Sequence, residues 1–581
     1  MIEQTDILII GAGPTGLTLA NLLGQSGIRT VLVEARTELI DYPRAVGIDD
    51  ESLRAMQAIG LVEEVLEHTV PDQQIRIVNG AGKVIAGINP TTREFGWPRR
   101  NGFVQPLVDQ VLLDGARRFG CVDVRLGVEA TDLVQDEDGV TVTVRSQQQE
   151  ASVRAAYVVG CEGGRSFTRQ KLGIPFTGQT RQQRGLVIDV ANDPLGTPHA
   201  VFGGDPTRGY ATLSLPHGTR RWEFMLLEGE SDELATSDEF LHRLLKDHVA
   251  DPASLDVIRR RVYAHHARIA ERFRLGRVLL AGDAAHVMPV VAGQGWNSCI
   301  RDALNLGWKL PAVVRGVAGD ALLDTYAEER RDHVKAMVEL SVGMAKVVTN
   351  RSKVTSAVRD AAAAVIDHLP KLKSYVSGQG FKPMPKYTRG VVVPSRWPDS
   401  KSVPVEDGIQ PGAGTLFPQP RVQAPGHGDV LLDDATGAGW RVFVWNNDPA
   451  NFLSDQVRVQ LDALDATLVQ LVPSTQLRWA ADSASPGVRV AGDVSGSLKS
   501  WFHARPVSAV VVRPDHVIAA ECLAQDLDNT LRQVFASACL LPAAGAAATK
   551  ACPAEAGGGG AGIGTHNDAR QALASARATT H

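Results

Sequence analysis

Apolar and polar positions along this chain change period from segment to segment. Residues 5–10 form an almost unbroken apolar run, a helical pattern follows through about Gln25, and residues 30–33 form a second apolar run. Short apolar runs bounded by turn residues fit strands buried on both faces of a parallel sheet. Residues 156–160 and 277–281 repeat that signature. Strands are also expected at 122–126 and 140–144, joined by a polar loop near Glu137, Asp138 and Gly139. From Phe176 to about Val262 short alternating runs take over, as at 210–214 and 221–226. Alternation predicts half-buried antiparallel strands. Helical periodicity returns at 321–347 and 353–369, with Glu328, Glu329, Arg330 and Arg331 expected on a solvated face.

Proline, glycine and polar residues dominate 387–414 and mark a linker. A small α/β unit follows, with strands expected near 440–445, 467–472, 509–512 and 517–520 and helices near 455–464 and 526–536. Beyond Leu541 the Ala and Gly runs have little to pack, so residues 542–581 are expected to be a disordered tail.

The turn after the first strand reads Gly11-Ala12-Gly13-Pro14-Thr15-Gly16. Strand, glycines and helix in that order are the context a dinucleotide fingerprint requires. Gly11 permits the tight turn, Gly13 admits a pyrophosphate to the helix N-terminus, and Gly16 lets helix and sheet pack closely. The second strand ends in Glu34, roughly 20 residues on, where a carboxylate accepts from ribose hydroxyls. Glu34, Ala35 and Arg36 are therefore candidates for the adenosine end, and Pro14 for the helix start.

A second stretch, residues 277–310, supplies the other half of a ligand seat. Its strand ends in Gly282-Asp283, and an acid at the carboxyl end of a central strand points into the crevice where open α/β sheets bind ligands. A polyol chain would suit that carboxylate. The loop through Pro289, Gly293 and Gly295 lets backbone approach a flat ligand, and a helix from about Asn297 directs its first amides at that ligand.

Composition narrows the partners. The chain has 581 residues, so more than one domain is expected, and 44% hydrophobic residues suffice for a large core. A net charge of −5 with no block of like charge leaves no electrostatic footprint for nucleic acid or an acidic membrane surface. Glu3 and Asp6 precede any basic region, so no secretory signal is read, and no apolar run reaches the ~20 residues of a membrane span. Six cysteines, Cys121, Cys161, Cys299, Cys522, Cys539 and Cys552, show neither C-x-x-C nor metal spacing. No disulfide, no metal and a cytoplasmic location are expected.

An N-terminal fingerprint with a late Gly-Asp-Ala-Ala-His…Gly-Gln-Gly-x-Asn segment resembles the flavoprotein aromatic hydroxylases. Residues 40–51, 94–101, 187–194 and 323–326 resemble the branch acting on 3-(3-hydroxyphenyl)propionate and 3-hydroxycinnamate, over about residues 5–540. The resemblance implies a Rossmann-like FAD-binding domain with an inserted antiparallel-sheet substrate domain and a C-terminal thioredoxin-like α/β domain. The parts would be 1–175 (with substrate-domain strands near 72–105), 176–270, 271–386, the 387–414 linker and 415–541. It implies ortho-hydroxylation of a phenol with FAD, NADH and dioxygen, in aromatic catabolism. Another phenol or a polyketide as substrate, or a non-turnover flavin-binding assembly protein, are the alternatives.

The resemblance assigns residue roles. Arg44 falls near the FAD pyrophosphate, where a guanidinium matches phosphate oxygens. Gln105 matches a flavin-contacting glutamine, and Trp296 and Asn297 belong to the flavin segment. Backbone at Val290, Gly295 and Asn297 would frame flavin and substrate. Asp49 could polarise a phenol, although capping the following helix is the favoured reading for it or Asp50. Glu162 replaces the family's Asp in its Asp-Gly segment, and Cys299 replaces a Gly, which sets a side chain, although a small one, against the flavin-binding helix. Arg208, Tyr210 and Arg221 are candidates for a substrate carboxylate. The C-terminal unit lacks the C-x-x-C dithiol, so a structural or homodimer role is expected for it.

Overall fold

A computed structural model describes residues 2–348, 351–397 and 409–542. Strand Glu3–Ile10 lies at the centre of the first sheet, parallel to Thr30–Glu34 on one side and Gln149–Gly160 on the other. Val278–Leu280 and Val122–Leu126 extend the sheet in parallel at either flank. Successive side chains point to opposite faces. Accordingly Ile7 and Ile9 join the core under helices Pro14–Gln25, Gln105–Arg117 and Gly295–Val314, while Leu8 and Ile10 join a separate core under the hairpin Val128–Gln135/Val140–Ser146. The strand Val128–Gln135 fills what the sequence suggested was part of the connection to Val140. Its alternating polar positions are only partly buried, which weakened the signal.

The second sheet has eight strands. It runs from His286–Val287 through Asp256–Ala270, Phe176–Ala191, Thr219–Met225, Tyr210–Leu215 and Ala200–Gly204 to Ile75–Asn79 and Val84–Ile88. Alternation in the 210–226 region is thereby realised as antiparallel pairing. Trp222 and Phe224 face a core covered by helix Asp238–Leu245. Arg221 and Glu223 point the other way. That second face lies towards the first sheet, since Arg221 reaches the Pro43 carbonyl.

The C-terminal unit arranges Thr467–Pro473, Arg441–Trp445, Ala509–Val512 and Ile518–Cys522 side by side. The first two are parallel and joined by helix Asp455–Ala463, the last two form an antiparallel hairpin, and helix Leu527–Ser537 follows. This is the thioredoxin-like order. Strands Arg421–Gln423, Asp429–Leu431 and Val488–Asp493 widen it beyond the sequence reading.

The ends of the 387–414 linker are packed: Tyr387 and Val391 are buried, the Tyr387 amide donates to Gly414, and Val393 donates to Ala519. Residues 398–408 and the tail 543–581 lie outside the described residues. Glu329 and Arg330 are not solvated. Both are buried in ion pairs, Glu329 with Arg513 and Lys309, and Arg330 with Asp302. Helix Asp324–Val348 is sandwiched between the first domain and the C-terminal unit, so two of its faces are interior.

Candidate functional site

The glycines of the first turn behave as their spacing predicts. Gly11 has φ +108°, and a side chain there would meet the Cys161 carbonyl at 2.6 Å. A Cβ on Gly16 would come within 2.0 Å of the Gly11 carbonyl oxygen. Gly13 is different: a Cβ on it meets nothing within 4 Å, so its glycine is not required by the protein's own packing. Open space at the N-terminus of helix Pro14–Gln25, whose first amides lack a side-chain cap, is what a pyrophosphate needs. Glu34 accepts from the Ala12 amide at 3.0 Å and the Arg36 amide at 3.0 Å, while Ala35 and Arg36 are exposed.

Asp283 stands at the end of strand Val278–Leu280, where Gly282 takes φ +61°. Its carboxylate pairs with Arg44 at 3.1 Å across 239 residues, and both side chains remain partly open, 28% and 52% exposed. Two segments far apart in the chain thus reach the same crevice. Gln105 holds the Arg44 loop, accepting from the Arg44 and Ala45 amides at 3.1 and 2.8 Å and donating to Asp109 at 3.0 Å. Its amide serves loop position, not a free flavin-facing edge. Burial pushes the Asp109 carboxyl up to about 7, opposed by the hydrogen bond from Gln105. Trp296 itself is buried against Phe103.

Helix Gly295–Val314 starts two residues earlier than the sequence suggested, after Gly293 at φ +62° and an exposed turn at Val290. Asn297 is fully occupied. Its Oδ1 accepts from the Asp49 amide and the Ser52 hydroxyl, and its Nδ2 donates to the Gly47 and Gly293 carbonyls. It therefore positions the turn instead of presenting a side chain to a ligand.

Asp49 caps helix Asp50–Ala58, accepting from the Ser52 amide at 3.0 Å. Its other oxygen is held by Arg301 at 2.5 Å and Lys382 at 2.8 Å, with Glu51 bridging the same two cations. These cations hold the Glu51 carboxyl well below its ordinary range despite burial. Asp50 next to them makes no side-chain ion pair among the described residues, and burial raises its carboxyl to about 7. Sequence reasoning missed this cluster. Arg301 lies one helical turn beyond Asn297, a spacing that could have shown it; Lys382, more than 300 residues from Asp49, left no local signal.

The substrate candidates are corrected. Arg221 is buried and paired with Asp189 at 2.7 Å, and its Nη2 donates to the Pro43 carbonyl at 2.7 Å, so it buttresses the Arg44 loop. Arg208 is engaged by Glu230 at 2.6 Å. The Tyr210 ring packs edge-on against His248 on the face away from the crevice. Neither guanidinium is free for a ligand.

Glu162 accepts from the Ser166 hydroxyl at 2.8 Å and the Thr168 amide at 2.9 Å, and from the Thr168 hydroxyl. It organises the short helix Phe167–Lys171. Cys299 does not crowd its helix, which runs unbroken. The sulfur is buried 3.8 Å from the Asp283 carboxylate. Among the described residues no disulfide forms, no group of three or more His, Cys, Asp or Glu is placed to hold a metal ion, and no helix is long and apolar enough to cross a membrane.

These residues fit FAD: open space at Gly13, an adenosine-side acid at Glu34, and a polyol acceptor at Asp283 beside a phosphate-matching Arg44. The FAD binding domain model matches residues 4–341, and the HcaD C-terminal domain model matches 414–537. The 3-(3-hydroxy-phenyl)propionate/3-hydroxycinnamic acid hydroxylase of Mycolicibacterium smegmatis is 51% identical over 90% of this chain and 91% of its own. The enzyme of the same name from Escherichia coli O8 is 45% identical over 92% and 94%. Among solved structures, the flavin-dependent monooxygenase PieE in complex with FAD and substrate gives a TM-score of 0.75 at 22% identity, covering 92% of this chain and 99% of that one. Aklavinone-11 hydroxylase with FAD and aklavinone gives 0.72 at 24%, covering 92% and 100%, and both likenesses concern the fold. With its fingerprint glycines, its split crevice and its relatives in agreement, the chain belongs to the FAD-dependent aromatic hydroxylases built on this FAD binding domain.

Proposed function

We propose that the chain hydroxylates 3-(3-hydroxyphenyl)propionate and 3-hydroxycinnamate at the carbon between the ring hydroxyl and the side chain, using NADH and dioxygen. The observation that carries this is the Arg44–Asp283 junction, which joins the two halves of an FAD seat beside the second sheet, whose Arg221 reaches the Arg44 loop. The shared name of relatives at 45–51% identity over nine-tenths of the chain supports the substrate.

When bound, FAD supplies the redox chemistry: electrons from NADH and oxygen from dioxygen, one atom replacing a ring hydrogen and the other leaving as water. The chain's own residues do the rest. Asp283 would accept from the ribitol hydroxyls and Arg44 would balance the pyrophosphate. Gln105 and Arg221 fix the loop that carries Arg44. Asn297 holds the Gly293 carbonyl, and with it the Val290–Gly295 turn that would frame flavin and substrate, while the second sheet would help exclude water from the reacting centre. A homodimer in a reducing cytoplasm is the assembly we propose, measurable by light scattering. The test of substrate is a panel of phenols, including a polycyclic one, scored for NADH oxidation and hydroxylated product. Peroxide release without product from every phenol in the panel would refute the proposal.

A further inference from the structure

A narrow cleft lies beside the Val290–Ala292 turn, walled by Ile75, Ile88, Val291, Leu340, Met344 and Phe381. Among the described residues, two buried polar atoms in its lining have no hydrogen-bond partner: Nε of Arg100 and Oε1 of Gln294. Such atoms are costly unless a ligand satisfies them. Arg100 begins strand Arg100–Phe103, opposite Asp49, and its carbonyl accepts from the Gln73 amide, so its backbone is fixed. The other cation lining the cleft, Lys382, is already held by Asp49 and Glu51. Arg100 has no carboxylate partner among the described residues, and burial alone brings its guanidinium down to about 10, so it stays charged at neutral pH. An uncompensated cation at one side of a cleft that also has apolar walls is complementary to a molecule with an apolar body and one anionic end.

We propose that Arg100 is the carboxylate-binding and specificity-determining residue of this enzyme, pairing with the propionate of the phenolic acid while the apolar walls take its ring. This rests on the phenylpropanoid reading above. It assigns to Arg100 the role that Arg208 and Arg221 are prevented from filling by their own carboxylates.

The test uses FAD-loaded full-length protein and two probes, 3-(3-hydroxyphenyl)propionate and 3-ethylphenol, which keeps the phenol but lacks the anion. Binding is read from the perturbation of flavin absorbance. Arg100→Met should weaken the acid about 100-fold, the scale of losing a charge-assisted pair, and leave 3-ethylphenol within about threefold. Arg100→Lys should recover part of the acid affinity, and if Arg100→Met fails to fold, Arg100→Lys carries the test with a loss of about tenfold confined to the acid. Equal losses for both probes, or unchanged acid affinity in a variant whose parent hydroxylates the acid, would overturn the assignment alone. A parent enzyme that neither binds nor hydroxylates the acid would overturn the phenylpropanoid reading as well.

Discussion

Arg44–Asp283 and Arg513–Glu329 are both ion pairs between distant parts of the chain, yet they do opposite work. The first is partly open, 52% and 28% exposed; in the second both side chains are 0% exposed. An open pair contributes little to stability and can exchange its partner for a ligand. A closed pair cannot be opened without stranding a charge. Around Glu329 the enclosure is complete, because Lys309, Asn305 and the Val391 amide also reach it. The same residue types therefore mark a binding crevice in one place and a domain seam in the other, and accessibility is what separates them.

Removing one partner from each pair should have the most unequal effects. Glu329→Ala should destabilise the protein by about 3–5 kcal/mol, the cost of an unpaired buried charge. Asp283→Ala should change the stability of the flavin-free protein by less than about 1 kcal/mol. Urea unfolding of the apoproteins measures both, and similar losses would erase the distinction.

Acid sharpens the same contrast. Arg513 and Lys309 bring the Glu329 carboxyl down to about 2 from an ordinary value near 4.5. A carboxyl with a depressed folded pKa stabilises the fold above its unfolded pKa, and that contribution fades as pH falls through the folded value. The stability difference between wild type and Glu329→Gln should thus hold above about pH 5 and shrink by about 3 kcal/mol between pH 4.5 and 2. A difference independent of pH across that window would show that the carboxylate's charge is not what holds the seam.

In the crevice the expected loss is of ligand, not of fold. Gly13→Val adds a side chain where the protein leaves space, so the apoprotein should keep its stability while FAD affinity falls at least about 30-fold, or ~2 kcal/mol. Asp283→Ala should likewise emerge folded and colourless. Equilibrium titration of the apoproteins with FAD checks both, and yellow, fully loaded Asp283→Ala would remove Asp283 from the site. The smallest effect is expected at Glu162. It serves a local helix start, so Glu162→Asp should alter the rate of flavin reduction by less than about tenfold, or ~1.4 kcal/mol of barrier, in stopped flow.

Legibility in the sequence followed the range of each constraint. Gly11 and Gly16 are demanded by backbone a few residues away, and the strand-turn-helix order around them is local, so the FAD-binding fold could be read directly. The thioredoxin-like core was legible for the same reason, although its short added strands were not. Arg221 was misread because its partners, Asp189 and the Pro43 carbonyl, lie 32 and 178 residues away. Glu329 and Arg330 were misread because a helix with a polar stripe looks the same whether that stripe meets water or an oppositely charged domain. Arg100 was visible only as part of a family-like run, and its missing partner became apparent once its surroundings were folded around it.

The central claim is that this chain couples a phenolic acid to flavin chemistry. A substrate can govern reduction only by binding more tightly to the conformation in which nicotinamide meets flavin. Stopped-flow reduction of the FAD-loaded protein by NADH, with and without 3-(3-hydroxyphenyl)propionate, followed by product analysis under labelled dioxygen, measures this directly. The account predicts at least about tenfold faster reduction with the acid, ~1.4 kcal/mol of preferential stabilisation, and one labelled oxygen in the 2,3-dihydroxy product. Equal reduction rates with and without the acid, or NADH consumption that yields only peroxide, would contradict it.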